Sequence, residues 1–195
     1  MMGLAIFTTG LIAIAILVTY PKLPPLDSLQ HYQPQMPLTI YSADGQIIGV
    51  YGEQRREFTK IKDFPDTLKN AVIAAEDKRF YEHWGVDVWG ITRAAISNIV
   101  AGGVQSGAST ITQQVAKNFY LSSERTFTRK FNEALLAYKI EQSLSKDKIL
   151  ELYFNQIYLG QRAYGFASAA QIYFNKNVKD LTLAEAAMLA GLPKA

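Results

Sequence analysis

Residues 3–20 read GLAIFTTGLIAIAILVTY, eighteen consecutive positions without a charged side chain. As a helix rising about 1.5 Å per residue this run measures roughly 27 Å, close to the hydrocarbon thickness of a bilayer. It predicts a transmembrane anchor over residues 1–20. A cleaved signal peptide fits less well, since the apolar run is long for an h-region and no Lys or Arg precedes it. A buried core helix of this length would more often carry polar interruptions. The one nearby charge, Lys22, lies on the C-terminal side and leaves orientation open under the positive-inside rule.

The remaining chain has a different character. Over all 195 residues the composition is 49% hydrophobic and 19% charged, too apolar for a disordered chain and too charged for a multi-span membrane protein. Twenty Lys and Arg against seventeen Asp and Glu give a net charge of +3. That mild excess suits an anionic lipid surface or a phosphate-bearing substrate and does not imply nucleic-acid binding. The absence of cysteine excludes a disulfide scaffold, thiol catalysis and Cys-ligated metal sites. Residues 21–37 contain five prolines and read as an extended linker. Residues 38–195 then form the body, which opens with two β-prone runs around Asp44-Gly45, a hairpin signal.

After Pro65 helical periodicity dominates. Leu68, Val72, Ala75 and Glu76 share one side of a helix starting at Pro65, so a carboxylate ends an apolar stripe. A second helix is expected from about Asp87 to Ala101, with Val88, Ile91, Ala95 and Ile99 on one face and Gly102-Gly103 closing it. Trp84 and Trp89 fit either a water–lipid boundary or a core. Thr110 with Gln113, and Thr182 with Glu185, have capping-box spacing, and Ser145 is placed to cap a helix through Ile149 and Leu152. The helix from about Thr126 to Leu144 is apolar on two sides, which predicts a central position. It carries Glu133, expected to be buried with Arg129 one turn earlier as its ion partner.

These residues fall into five ordered motifs. Glu76-Asp77-Lys78-Arg79-Phe80-Tyr81-Glu82-His83-Trp84-Gly85 opens the series. Gly107-Ala108-Ser109-Thr110-Ile111-Thr112-Gln113-Gln114 follows, with Lys117-Asn118 after it. The third is Arg129-Lys130-Phe131-Asn132-Glu133. The fourth is Ile149-Leu150-Glu151-Leu152-Tyr153-Phe154-Asn155 with Gly160 and Gly165, and the last runs from Ala184-Glu185 to Leu192-Pro193. Together they resemble the peptidoglycan glycosyltransferase domain of glycosyltransferase family 51, as found at the N-terminal side of class A penicillin-binding proteins. The resemblance covers about residues 40–195 and rests on the order of the motifs, since each alone is weak.

The resemblance implies a mainly α, lysozyme-like glycosyltransferase domain with a small N-terminal β-hairpin and one transmembrane helix. It implies polymerisation of lipid II into β-1,4-linked glycan outside the cytoplasmic membrane, with inversion and release of undecaprenyl pyrophosphate. The implied partners are lipid II, the growing strand, the membrane, and cell-wall synthesis or division proteins. Glu76 then takes the role of general base and Glu133 that of second catalytic carboxylate, which organises cations, assists departure, or helps hold a divalent Mg or Mn ion that is not obligatory. Lys117 and Arg125 contact donor phosphates, while Arg129 and Lys130 bind phosphate or orient Glu133. Ser109, Thr110, Gln113, Gln114 and Asn118 offer neutral hydrogen bonds to substrate, Asp77 and His83 support the first-motif loop, and Asn155 is a contact candidate. Two other readings use the same residues: a lysozyme-like lytic enzyme, which needs no cation set for a pyrophosphate, and a tethered domain that only binds glycan or a partner.

Overall fold

The computed structural model describes residues 2–30, 32, 38–51, 55–103, 107, 109–121 and 126–194. The expected mainly α architecture is observed. The chain runs α1 (Met2–Thr19), α2 (Asp27–Gln30), β1 (Leu38–Tyr41), β2 (Ile47–Tyr51), β3 (Arg55–Arg56), α3 (Asp66–Glu76), α4 (Val88–Val100), α5 (Ile111–Tyr120), α6 (Phe127–Ser143), α7 (Lys146–Gln156), β4 (Ala163–Tyr164), α8 (Phe166–Phe174) and α9 (Leu183–Gly191).

Local signals explain most of these boundaries. Thr110 accepts the N–H of Gln113 while the Gln113 side chain returns to the Thr110 backbone, and Thr182 and Glu185 repeat the arrangement at α9. Ser145 caps α7 through the N–H of Lys148, and Asp87 caps α4 through that of Gly90. The expected hairpin pairs β1 and β2 antiparallel, with Leu38 opposite Tyr51 and a bulge between Ile40 and Tyr41. Its turn places Gly45 at φ +81°, a conformation open to glycine at little cost. The sequence reading did not foresee α2, α8 or the two-residue parallel pairing of β3 with β4.

The core gathers around α7. Ile149 through Asn155 are all buried, and α7 packs against α5, α6 and α8. Each fully buried Ile, Leu or Phe there contributes roughly 1.5–3 kcal/mol. This corrects the expectation that α6 is the central helix. Its Leu136, Ala137 and Ile140 are buried, but Phe127 is 96% exposed and Tyr138 is exposed as well, so only one of its two apolar sides meets the interior. The stripe expected on α4 faces outward: Val88, Ile91 and Ile99 are exposed, as are Trp84 and Trp89, and the residues α4 buries are Gly90 and Ala94.

The N-terminal run is helical as α1 and uncharged throughout. Its Phe7, Leu11, Ile14, Leu17 and Val18 are exposed. Several side chains in its first half lie outside the described set, and among the described residues no helix is long and apolar enough to cross a membrane. What the structure shows of the expected anchor is an uncharged apolar helix over Met2–Thr19.

Candidate active site

Glu76 is the last residue of α3, a helix anchored by Leu68 and Val72, both fully buried, and packed on α9. The helix ends because Asp77 leaves helical geometry (φ −157°, ψ 76°) and commits its carboxylate elsewhere. That carboxylate accepts the backbone N–H of Ile111, the first residue of α5, at 3.0 Å, where the helix dipole favours negative charge. It also accepts from His83 Nε2 at 2.9 Å. His83 Nδ1 accepts the N–H of Gly85 at 3.2 Å, so the ring proton sits on Nε2 and points at Asp77. Asp77 and His83 are both buried and tie the first-motif loop to α5.

The same loop is pressed onto α6. Gly85 stands at φ +88°, and a Cβ there would lie 2.7 Å from the backbone carbon and oxygen of Ala137. Any side chain at Gly85 would push the loop away. Thr110 Oγ1 donates to the Gly85 carbonyl at 2.6 Å, and Arg79 pairs with Asp87, the α4 cap. Glu76 is thus held between a helix end and a loop fixed from both sides. Its Oε2 accepts from Gln114 Nε2 at 2.8 Å.

Across the cleft, α6 presents Glu133, its side chain 3% exposed. Arg129 Nη1 donates to Glu133 Oε2 at 2.8 Å, as expected, and Lys130 joins as a second partner on Oε1. Lys130 also donates to Ser109 Oγ at 2.7 Å. Lys117, from the last turn of α5, is exposed on the same wall. Three cations against one carboxylate leave an excess of two positive charges there, a field suited to a dianionic or more highly charged group.

Both carboxylates open onto one cleft of about 860 Å³. It brings together Glu76, Asp77, Ser109, Thr110, Gln114, Lys117, Arg129, Lys130 and Glu133. Four other candidates stand apart from this lining. His83 is spent on Asp77, and Gln113 accepts the N–H of Thr110 through its side-chain oxygen. Asn118 is exposed on α5. Asn155 is buried, accepting the N–H of Thr59 at 2.8 Å and donating to the carbonyls of Thr59 and Glu151, also at 2.8 Å. Its side chain ties α7 to the segment before α3. Arg125 lies outside the described residues. Tyr153 is enclosed in the core with its hydroxyl unpaired among the described residues. Burial, with a further contribution from the Glu76 charge, pushes that hydroxyl far above the ordinary tyrosine range.

The lining also includes Lys78, Asp87, Arg93, Ser97 and Pro193, none of which the sequence names as a site residue. A signal was present. Gly90, Ala94 and Ser97 follow one another at helical spacing as small residues on one side of α4, and such a stripe lets a helix approach a cleft closely. As to a divalent cation, both oxygens of Glu133 are engaged by Arg129 and Lys130, and among the described residues no group of three or more His, Asp or Glu is arranged to hold a metal. The described residues of the cleft do not form a metal-binding set.

Comparison with known proteins places this arrangement in a family. The family described as transglycosylase matches residues 44–195, and the chain belongs to it. It is similar to penicillin-binding protein 1A of Neisseria cinerea, 87% identical over 194 residues that cover 100% of this chain and 24% of that protein. Penicillin-binding protein 1A of Pseudomonas aeruginosa is 52% identical over 181 residues, covering 93% of this chain and 22% of the relative. A crystal structure of penicillin-binding protein 1A from Haemophilus influenzae, 31% identical, covers 84% of this chain and 15% of that chain with a TM-score of 0.39. The chain thus spans about a quarter of the length of the relatives it matches.

Proposed function

We propose that this chain is a peptidoglycan glycosyltransferase that polymerises lipid II. The observation that carries the reading is the pairing, in one cleft, of Glu76 with a wall of Lys117, Arg129 and Lys130 around Glu133, in a chain belonging to the transglycosylase family. The acceptor is the 4-hydroxyl of a lipid II GlcNAc, a poor nucleophile until its proton is removed. The Glu76 carboxylate takes that proton as the oxygen attacks the anomeric carbon of the growing strand's terminal MurNAc. The bond from that carbon to the phosphate oxygen breaks, and its electron pair leaves with undecaprenyl pyrophosphate. Attack opposite the leaving group converts an α-linked phosphate into a β-1,4 bond. The cationic wall stabilises charge developing on the pyrophosphate, and the Arg129–Glu133–Lys130 cluster keeps those cations in place.

A lipid-linked substrate calls for a membrane-bound enzyme. The uncharged α1 with its exposed Phe7, Leu11, Ile14, Leu17 and Val18 supports single-pass anchoring through residues 1–20 in the bacterial cytoplasmic membrane, with the catalytic body on the outer side. A lytic activity on neutral glycan is the weaker reading, because such a substrate has no use for the cationic wall.

Incubation of the protein in detergent with labelled lipid II, with strand length resolved on a gel, tests the reading. Wild type is expected to form long glycan. Glu76→Gln is expected to lose about 10²–10⁴-fold in rate with an unchanged circular dichroism spectrum. A folded Glu76→Gln protein that still polymerises would remove Glu76 as the base, and a wild-type protein that shortens glycan instead would favour the lytic reading.

A further inference from the structure

We infer that Lys146 is a positioning residue for Glu76, acting from the side of the first-motif loop away from the cleft. Lys146 is the first residue of α7, where the positive end of the helix dipole disfavours a cation. Its side chain turns back onto the loop and is 20% exposed. The ammonium donates to the carbonyl of His83 at 2.7 Å and to Glu141 Oε1 at 2.7 Å, and it sits 4.6 Å from the centre of the Phe80 ring. Glu141 Oε1 also accepts from Thr112 Oγ1 at 2.6 Å, and the Glu141 side chain is 5% exposed. One ammonium therefore joins the loop at His83 and Phe80, α5 through Thr112, α6 through Glu141, and α7 through its own backbone.

The consequence for chemistry comes from what those elements carry. The loop begins at Glu76 and is pinned near its start by Asp77 on α5. Farther along, the His83 side chain returns to Asp77 while the His83 carbonyl goes to Lys146. Helix α5 supplies Gln114, which holds Glu76 Oε2, and α6 supplies Glu133. Lys146 thus fixes the relative placement of the three elements that bring base, orienting amide and cationic wall together, without lining the cleft itself. Misplacement of a catalytic group by about 1 Å can cost on the order of 10²-fold in rate. A lysine in the wrong place for its own helix is the kind of local conflict that marks a residue kept for another purpose.

This inference rests on the proposed role of Glu76, and the two fail separately. Loss of polymerisation in Glu76→Gln tests the base; steady-state kinetics of Lys146→Met on lipid II test the positioning. Methionine keeps the apolar stem and removes the ammonium. The expected result is a fall in kcat of about tenfold or more with KM within about twofold of wild type, and recovery of most of the loss in Lys146→Arg. Val178→Ala, a core truncation in the turn before α9, serves as a stability control and is expected to keep wild-type kcat well below its melting temperature. Wild-type kcat in Lys146→Met, a rise in KM in place of the fall in kcat, or an equal loss in Val178→Ala would each overturn the inference. Should Lys146→Met not fold, Glu141→Gln carries the test: a severalfold loss of kcat at unchanged KM is expected, and an unchanged kcat overturns the inference.

Discussion

Helices α4 and α6 put their apolar side chains in opposite places. Helix α6 turns Leu136, Ala137 and Ile140 into the core beside Glu133, and leaves Phe127 outside. Helix α4 buries only Gly90 and Ala94 and exposes Val88, Trp89, Ile96, Ile99 and Val100. Helix α4 carries one charged residue, Arg93, and α6 carries five, yet it is α6 that turns an apolar face into the core. The difference teaches that an apolar stripe identifies a surface that avoids water, not the partner that covers it. On α6 the partner is the protein. On α4 the small residues face the cleft, and the large apolar ones form an exposed patch of the sort that marks an interaction surface. Under the proposed activity on lipid II, lipid is the partner that such a patch would meet.

Two substitutions in α6 should have the largest effects on stability. Ile140→Ala removes a fully buried side chain and is expected to cost about 2–5 kcal/mol, read as a shift in denaturant midpoint. A cost below about 1 kcal/mol would mean that α6 is held by something other than its buried face. Glu133→Ala leaves Arg129, 17% exposed, without its carboxylate. Breaking a buried pair costs about 3–5 kcal/mol; Lys130 is 45% exposed and can rehydrate, so the lower end of that range is expected here. The companion Arg129→Met should recover part of the loss when combined with Glu133→Ala, and strict additivity of the two would show that the pair is not energetically coupled.

The contrast also shows what was readable before folding. Caps at Thr110, Ser145 and Thr182 were legible because they depend on residues three positions apart. So was the Arg129–Glu133 pair, which lies within one turn. The centrality of α7 was not, because its Tyr153, Asn155 and Glu151 look polar in sequence and become buried only through partners distant in the chain, such as Thr59 for Asn155. For the same reason Asn155 looked like a site residue and Lys146 did not: what each does is decided by a carbonyl more than sixty residues away. The short β3–β4 pairing joins Arg55 to Ala163, a contact that no local pattern records. Glu76 stood out as a charge at the end of an apolar stripe. Arg93 did not, since it lies within the mostly apolar run Ile91–Ile96, and only the fold reveals that it lines the cleft.

Glu185 provides a smaller test of how placement governs a carboxylate. Unlike Glu133 it is not enclosed; hydrogen bonds from Lys176 and from the Thr182 backbone N–H hold its pKa at about 2, below the ordinary 4.5. Because the folded-state value is the lower one, the stability it contributes is complete above about pH 4.5 and is lost as pH falls toward 2. Glu185→Gln should therefore flatten the acid limb of a stability–pH curve in that window and leave the curve near neutrality almost parallel to wild type. An acid limb of unchanged slope would show that the capping box at α9 does not depend on the charge.

The smallest expected effect is the most informative about α4. Ile99 is 80% exposed, so Ile99→Ser removes little buried area and should change stability in aqueous buffer by no more than about 0.5 kcal/mol. The same change made at Ile140 removes a side chain that is fully enclosed. If α4 rests on lipid, Ile99→Ser should nevertheless weaken flotation of an α1-deleted body with phosphatidylglycerol vesicles, because each apolar side chain transferred out of water contributes independently of the fold. Trp89→Ser should weaken it further, given the preference of tryptophan for the interface. A large loss of stability in buffer would mean that Ile99 is covered by protein and that α4 is an ordinary core helix after all. Unchanged stability with unchanged flotation would assign the patch to another partner, and the apolar faces of α4 and α6 would then differ in exposure alone.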